Sequence, residues 1–395
     1  MKTTPYHPFT VPLMAISAGV TVANIYYNQP ILNDISAATG ATAGEAGRVS
    51  TLAQLGYGLG MFFVVPLGDK LDRRKLITGL TSLLFFSLLL LSFARSIQQI
   101  CLLSFFVGIG STPAQILLPM SATISTGDRG KTVGRVFAGI LIGILGARVV
   151  AGAVSDLLGW RYVFAISALL VLIVTVLLYR YLPVIPPKFQ GSYPQLLSST
   201  VKLIGEYSVL RQAALLGAFT FGTFCSFWTT LTFHLSAAPL HYSASRIGLF
   251  GLIAIGGALA APLFGKLADK GQVYKSLFLT VSMVIVSILL LKIFPHSILL
   301  LSVSIFLLDV GVQATQITNF TRIYSLHEHA HSRLNTVYMT AYFMGAALGT
   351  SCGVAAWQYG GWDMATWQLL LWSVIALVIV GWSARAQSRA VPAEQ

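Results

Sequence analysis

The sequence predicts an all-α membrane protein with twelve transmembrane helices in two pseudo-symmetric six-helix bundles. Three observations predict it. Of 395 residues only Lys+Arg 25 and Asp+Glu 12 are charged, which is 9% where a soluble domain carries about 25%. The hydrophobic set is 55%, and a soluble fold of this length has no polar skin left to cover so much apolar surface. Twelve apolar stretches, each near the roughly 20 residues that cross a bilayer, follow one another, and the second six repeat marks of the first. Composition thus excludes a soluble enzyme, a nucleic-acid-binding domain and a disordered regulator.

The elements follow in order. The first span, near 10–37, carries Ser17, Thr21, Asn24 and Asn28 at spacings of 4, 3 and 4, one helical face. A single Lys2 precedes it and no small-residue cleavage site follows, so it reads as a retained helix and not a signal peptide. The second span, 44–68, holds Gln54 and closes on Leu67-Gly68-Asp69-Lys70. Arg73 and Arg74 lead into the third, 75–94. The fourth, 97–125, sets Gln115 between Pro113 and Pro119. The fifth, 132–157, opens after Arg129, carries Gly139, Gly143 and Arg148, and closes on Gly159-Trp160 before the sixth, 161–182. The stretch 183–208, with Pro183, Pro186, Pro187, Lys188, Lys202 and Glu206, reads as a cytoplasmic linker between halves 1–182 and 209–395.

The seventh span, 209–237, carries Phe224, Phe227 and Trp228. The eighth, 244–268, closes on Leu267-Ala268-Asp269-Lys270, and the ninth is 274–293. The tenth, 296–324, lines Asp309, Gln313, Gln316 and Asn319 along one face. The eleventh, 333–359, opens on Arg333 and carries Tyr338, Tyr342, Gly345, Gly349 and Gly353; Gly361-Trp362 separates it from the twelfth, 362–384. Glycines four apart let helices approach closely, which predicts tight contacts for the fifth and eleventh spans.

Repeats and charge fix the plan. Leu67-Gly68-Asp69-Lys70 recurs as Leu267-Ala268-Asp269-Lys270, Gly159-Trp160 as Gly361-Trp362, and Arg129-x-x-Thr132-Val133 as Arg333-x-x-Thr336-Val337, at nearly one offset. Two parallel six-helix halves are a known transporter plan with the substrate site near midplane. With both termini in the cytoplasm, 19 of the 25 Lys+Arg lie at that side, 5 lie at the outside, and Arg148, the one left over, lies deep within a span. The positive-inside rule fixes this orientation, and it accounts for the net charge of +13 without nucleic acid. Cys101, Cys225 and Cys352 sit apart in apolar stretches, so neither a disulfide nor a thiolate metal site is indicated.

Other motifs carry no chemistry. Gly130-Lys131-Thr132 lacks the upstream glycine of a phosphate loop, Gly56-x-Gly58-x-Gly60 is inside a span, and Asn319-Phe320-Thr321 is a buried sequon. His327-Glu328-His329-Ala330-His331 reads as a solvated loop, with metal binding the lesser alternative.

Val65-Pro66-Leu67-Gly68-Asp69-Lys70-Leu71-Asp72-Arg73-Arg74 resembles the G-x-L-a-D-R-x-G-R-R loop of the major facilitator superfamily, with Val65 and Asp72 at the two glycine positions. Gly265-Lys266-Leu267-Ala268-Asp269-Lys270-Gly271 is the second copy and keeps both glycines. The resemblance covers the whole chain and implies the major facilitator fold. Asn24-Ile25-Tyr26-Tyr27-Asn28-Gln29-Pro30, Asp309-x-x-x-Gln313 and Ser332-Arg333-Leu334-Asn335-Thr336 are similar to the bacterial acriflavine-sensitivity or arabinose-efflux-like exporters. Two positions depart from the superfamily. The fifth-span G-P-x-x-G-G slot of its antiporters reads Ala147-Arg148-Val149-Val150-Ala151-Gly152, and Ser104 stands four before Gly108 where a fourth-span arginine is usual.

The resemblance implies a proton-coupled exporter of a small organic molecule, working by alternating access, monomeric, in the bacterial inner membrane, with no enzymatic activity, cofactor or metal. Import or facilitated movement on the same fold is the alternative, and a non-transporting sensor or scaffold a third. It also implies that the first, fourth, seventh and tenth helices line a cavity. Asn24, Asn28, Gln115, Phe224, Trp228, Gln313 and Gln316 lie on those helices and, with Gln54 of the second span and Tyr338 and Tyr342 of the eleventh, are candidate substrate contacts; helix packing and lipid contact are the plainer roles. Asp69, Arg73, Arg74, Asp269, Lys270 and Arg333 would form a cytoplasmic gate, or serve only as topology charges. Arg148 lies about 17 residues, roughly 25 Å, into its span. An intramembrane charge costs about 2.5–3.5 kcal/mol on the lenient scale, so Arg148 is expected to meet a substrate anion, pair with an acid, or tie a helix junction. Asp309 is the only acid deep in a span: a proton carrier, a substrate contact or an ion-pair partner.

Overall fold

The computed structural model describes residues 9–125, 128–186, 189–269, 271–327 and 330–390. Lys2, Pro187, Lys188, Lys270, Glu328 and His329, and the side chain of Asp269, lie outside the described residues. Among those described, all regular structure is helical. Two compact units result. The first runs to Ser198 and takes in Tyr242–Leu249; the second holds Ser199–His241 and the chain from Phe250.

In the first unit α1 (Thr10–Ala23) and α2 (Leu32–Thr39) flank a polar turn. Helix α3 (Ala43–Leu59) starts at a capping box: Thr42 Oγ1 accepts from Glu45 N, and Glu45 Oε2 accepts from Thr42 N at 2.9 Å. The span does not stop at Leu59. It winds on through a π turn (Gly60–Val64) and a 3-10 turn (Val65–Asp69), because Pro66 has no N–H and its ring crowds the carbonyl one turn back. Helix α4 (Arg73–Phe93) is capped by Asp72, which accepts from Arg74 N at 3.0 Å. One span is split in two, α5 (Ile97–Gly110) and α6 (Pro113–Ile124), at the proline predicted to flank Gln115. Helix α7 (Arg129–Leu158) meets α8 (Trp160–Tyr181) at Gly159, whose φ of 100° suits glycine. The 183–208 stretch is not bare chain: it contains α9 (Tyr193–Glu206), tethered by the Tyr193 hydroxyl donating to Phe63 O at 2.6 Å.

The rest of the chain forms α10 (Ser208–Ser236), α11 (Ala244–Asp269), α12 (Val273–Ile293), α13 (Ile298–Tyr324) and α14 (His331–Ala390). Helix α14 is 60 residues long and breaks at Gly360 and Gly361, the latter at φ 61°, so it supplies two spans. Its break repeats Gly159 of the first half, each glycine standing just before a tryptophan. By length and composition nine segments of the described residues can cross a membrane, counting this long helix once. Helix α1, which the turn and α2 continue, and α11 are shorter apolar helices among the described residues and stand where the first and eighth spans are expected.

Packing inside each unit follows the small residues. Helix α1 lies on α7, and α10 on α14. A Cβ on Gly139 or Gly143 would run into the backbone of Ala15 or Gly19; one on Gly345 or Gly349 would run into Ala218 or Gly222. These are the fifth- and eleventh-span glycines, and in both halves they bring two backbones into contact. The lipid side is apolar, with Phe86, Leu90, Phe93, Ile142 and Leu169 exposed.

Candidate functional site

In the first unit the polar residues gather where α1 loses its α-helical winding. The Asn24 side chain causes this: its Nδ2 donates to Val20 O at 2.8 Å, the carbonyl its own N–H would take in an α-helix, and that N–H turns to Thr21 O. Ile25 and Tyr26 follow with the same three-residue spacing, and Pro30 keeps the turn from rewinding. A discontinuous membrane helix is the usual frame of a transporter site.

Arg148 reaches this turn from α7. It is 1% exposed, about 28 Å from Arg129 and 15 Å from Leu158 along the helix. Its Nε–H donates to Gln29 Oε1 at 2.8 Å, and its guanidinium lies over the Tyr26 ring, 5.1 Å from the centroid. Gln29 and Tyr26 were not expected at the site. An amide before a proline reads as a turn residue, and only the buried charge opposite gives it work.

Asn24 and Asn28 are buried and serve as ties. Asn24 Oδ1 accepts from Ser167 of α8 at 2.7 Å, and Asn28 Oδ1 accepts from Ser50 of α3 at 2.5 Å. Gln115 donates to the buried Tyr57 hydroxyl at 3.1 Å, which joins α6 to α3. Gln54 is buried in α3.

In the second unit Asp309 is 0% exposed, about 17 Å from one end of α13 and 23 Å from the other. It stands where α11 comes close: a Cβ on Gly257 would lie 2.7 Å from the Asp309 Cβ and 3.2 Å from Phe306 O. Gln313 and Gln316 are half-buried on the same helix, and Gln316 Nε2 points at Met339 Sδ, 3.8 Å away. Trp228, Phe224, Tyr338 and Tyr342 are all buried. They belong to a longer aromatic ladder, in which Phe221 stacks on Tyr342 at 3.9 Å, Phe224 packs beside Trp228, and Tyr338 meets Phe320.

The polar stripe of α13 extends one residue beyond its predicted end. Arg322, counted by sequence among the cytoplasmic charges, is 7% exposed. Its guanidinium donates to Asn319 Oδ1 at 3.3 Å, Gln212 Oε1 at 3.2 Å and the Tyr274 hydroxyl at 3.4 Å. The i, i+3 step from Asn319 was the signal for it.

Of the residues expected at a gate, Arg73 Nη2 pairs with Asp69 Oδ1 at 2.9 Å while its Nε donates to Gly68 O. Arg74 lies over the Tyr179 ring at 4.8 Å, and Arg333 is half-buried.

The model of one family, the Major Facilitator Superfamily, matches residues 14–350. The uncharacterized transporter YgaY of Escherichia coli is 40% identical over 364 residues, 91% of this chain and 92% of that protein. A probable transporter of Streptomyces coelicolor is 27% identical over 378 residues, 95% and 86% of the two. Among solved structures, a bacterial homolog of the human lysosomal transporter Spinster, crystallised inward-facing and occupied, superposes with a TM-score of 0.79 at 14% identity, covering 97% of each chain. That likeness is one of fold.

Proposed function

Since the chain belongs to the major facilitator superfamily and is a multi-pass membrane transporter of that type, we propose that it couples inward proton movement to export of a small organic molecule by alternating access. One observation carries the proton: the Asp309 carboxyl is wholly buried at mid-depth in α13. An ionisable side chain within a membrane span is by default a functional group, and a carboxyl is one that can take up a proton and give it back. Arg148, buried beside the turn that follows α1, is a further intramembrane charge, and its proposed role is in the same proton coupling.

The resemblance to acriflavine-sensitivity and arabinose-efflux-like exporters supports the outward direction. Gln54, Gln313, Gln316, Tyr338, Tyr342, Phe224 and Trp228 supply amide and aromatic surface, which suits an amphipathic solute; Asn24, Asn28 and Gln115 add amide groups beside the helix ties they make. Asp69, Arg73, Arg74, Asp269, Lys270 and Arg333 gate the cytoplasmic side of a monomer in the bacterial inner membrane. The 19-to-5 distribution of Lys+Arg supports cytoplasmic termini.

The test is a proteoliposome loaded with a pH-sensitive dye and offered candidate solutes. Solute-dependent proton flux in the native protein, lost in Asp309→Asn, is expected. Solute movement indifferent to a pH gradient overturns proton coupling, and co-directional movement replaces export with import. Orientation is tested separately: a cysteine placed at Gln190 should resist a membrane-impermeant thiol reagent applied to intact cells, and strong labelling inverts the topology.

A further inference from the structure

A groove of about 520 Å³ opens at the start of α4, lined by Lys70, Leu71, Asp72 and Lys75 and, further along the helix, by Leu76, Gly79 and Leu80. Its position on the helix says what it faces. The exposed residues of α4 are Lys75, Gly79, Phe86, Leu90 and Phe93, at spacings of 4, 7, 4 and 3, which is one face. Three of the five are bare hydrophobic side chains on a membrane span, so this face meets acyl chains. Gly79 lies in the stripe, and a Cβ there would meet nothing within 4 Å. The stripe therefore has a notch floored by helix backbone, about 6 Å below the Lys75 level.

The charges in and beside the groove are unequally engaged. Asp72 is turned to the Arg74 amide at 3.0 Å, Arg73 is held by Asp69 at 2.9 Å, and Arg74 lies over Tyr179 at 4.8 Å. Lys70 and Lys75 form no ion pair with a described residue. Two ammonium groups thus sit above an apolar slot that opens sideways to lipid.

We infer that this groove is a binding site for one anionic phospholipid, its phosphate between Lys70 and Lys75 and an acyl chain lying over Gly79 between Leu76 and Leu80. Juxtamembrane lysines attract anionic headgroups of the cytoplasmic leaflet, and a free phosphate gains nothing from the apolar slot. The site rests on the orientation proposed above only for its leaflet. Occupancy pins Lys70, next in sequence to Asp69, and so steadies the loop that carries the Asp69–Arg73 pair.

Native mass spectrometry of the full chain in detergent tests it, with phosphatidylglycerol and phosphatidylcholine of matched chains supplied in equal amounts. Detergent presents both faces, so a wrong orientation does not affect the result. One phosphatidylglycerol should be retained in preference. The double variant Lys70→Gln/Lys75→Gln should weaken that retention roughly 25-fold, about five-fold per lysine, while Lys275→Gln leaves it unchanged. Gly79→Leu fills the notch and should lower retention of both lipids; a melting curve like the native one keeps that result interpretable. Equal retention of the two lipids, native retention by the double lysine variant, or displacement of the lipid by millimolar inorganic phosphate would each overturn the site.

Discussion

The Nε–H of Arg148 donates to Oε1 of Gln29 across 2.8 Å, linking residues 119 positions apart in the interior of the first unit. The bond does two things. It gives a buried cation an acceptor, and it fixes the guanidinium's rotation, since the Nε edge is tied while the Tyr26 ring supports its face.

Gln29→Ala removes that acceptor and should cost about 1–3 kcal/mol of stability, the usual penalty for stranding a buried donor. Gln29→Glu should keep the fold but lower transport, because a carboxylate there neutralises Arg148 in place. Thermal unfolding in detergent and uptake into proteoliposomes measure the two effects. A native melting point for Gln29→Ala would mean that the bond contributes nothing.

Asp309→Asn should abolish proton-driven accumulation yet preserve substrate exchange, since the amide keeps the shape and loses only titration. If Arg148 and Asp309 act as one unit, Arg148→Ala combined with Asp309→Asn should be milder than the sum of the two single changes. Full proton coupling in Asp309→Asn, measured by dye quenching, would move the proton elsewhere; strict additivity would leave Arg148 acting alone.

Much of this fold is legible in sequence, for a physical reason. The bilayer demands apolar runs of fixed length, and the second half repeats the first, so spans and junctions such as Gly159-Trp160 and Gly361-Trp362 stand out. Arg148 and Asp309 stand out because a charge in an apolar run is rare. Partners are harder. Nothing local marks Gln29 as the acceptor for a residue far along the chain, or Phe221 as the ring on which Tyr342 stacks, since one more Phe in an apolar span carries no pattern. Arg322 was hidden for another reason: near a span's end, charge alone does not distinguish a buried guanidinium from a cytoplasmic one. The helix Tyr193–Glu206 was obscured by the prolines and lysines around it.

Two adjacent glycines separate tolerance from damage. A Cβ on Gly257 meets Asp309 Cβ at 2.7 Å, whereas one on Gly256 finds only the Phe306 ring edge at 3.5 Å. Gly257→Ala should push α13 outward and cost about 1–3 kcal/mol, as overpacking does. Gly256→Ala should be near neutral. Melting curves of the two variants should differ clearly; equal curves would mean that α11 and α13 can part without penalty.

Arg322 offers a test of how a buried cation is held. Its three acceptors, on α10, α12 and α13 of the second unit, are neutral, and each bond exceeds 3.1 Å. No single bond is strong, so the planar fork matters: it touches Asn319, Gln212 and Tyr274 at once. A lysine ammonium is a compact point charge and cannot span the three. Arg322→Lys should therefore destabilise the second unit despite keeping its charge. Arg322→Met removes the charge together with its desolvation penalty and fills much of the same volume, so it should be less harmful than Arg322→Lys. The order Met above Lys in melting temperature is the expected result. The reverse order would show that the positive charge, and not the geometry of the fork, is what the four side chains preserve.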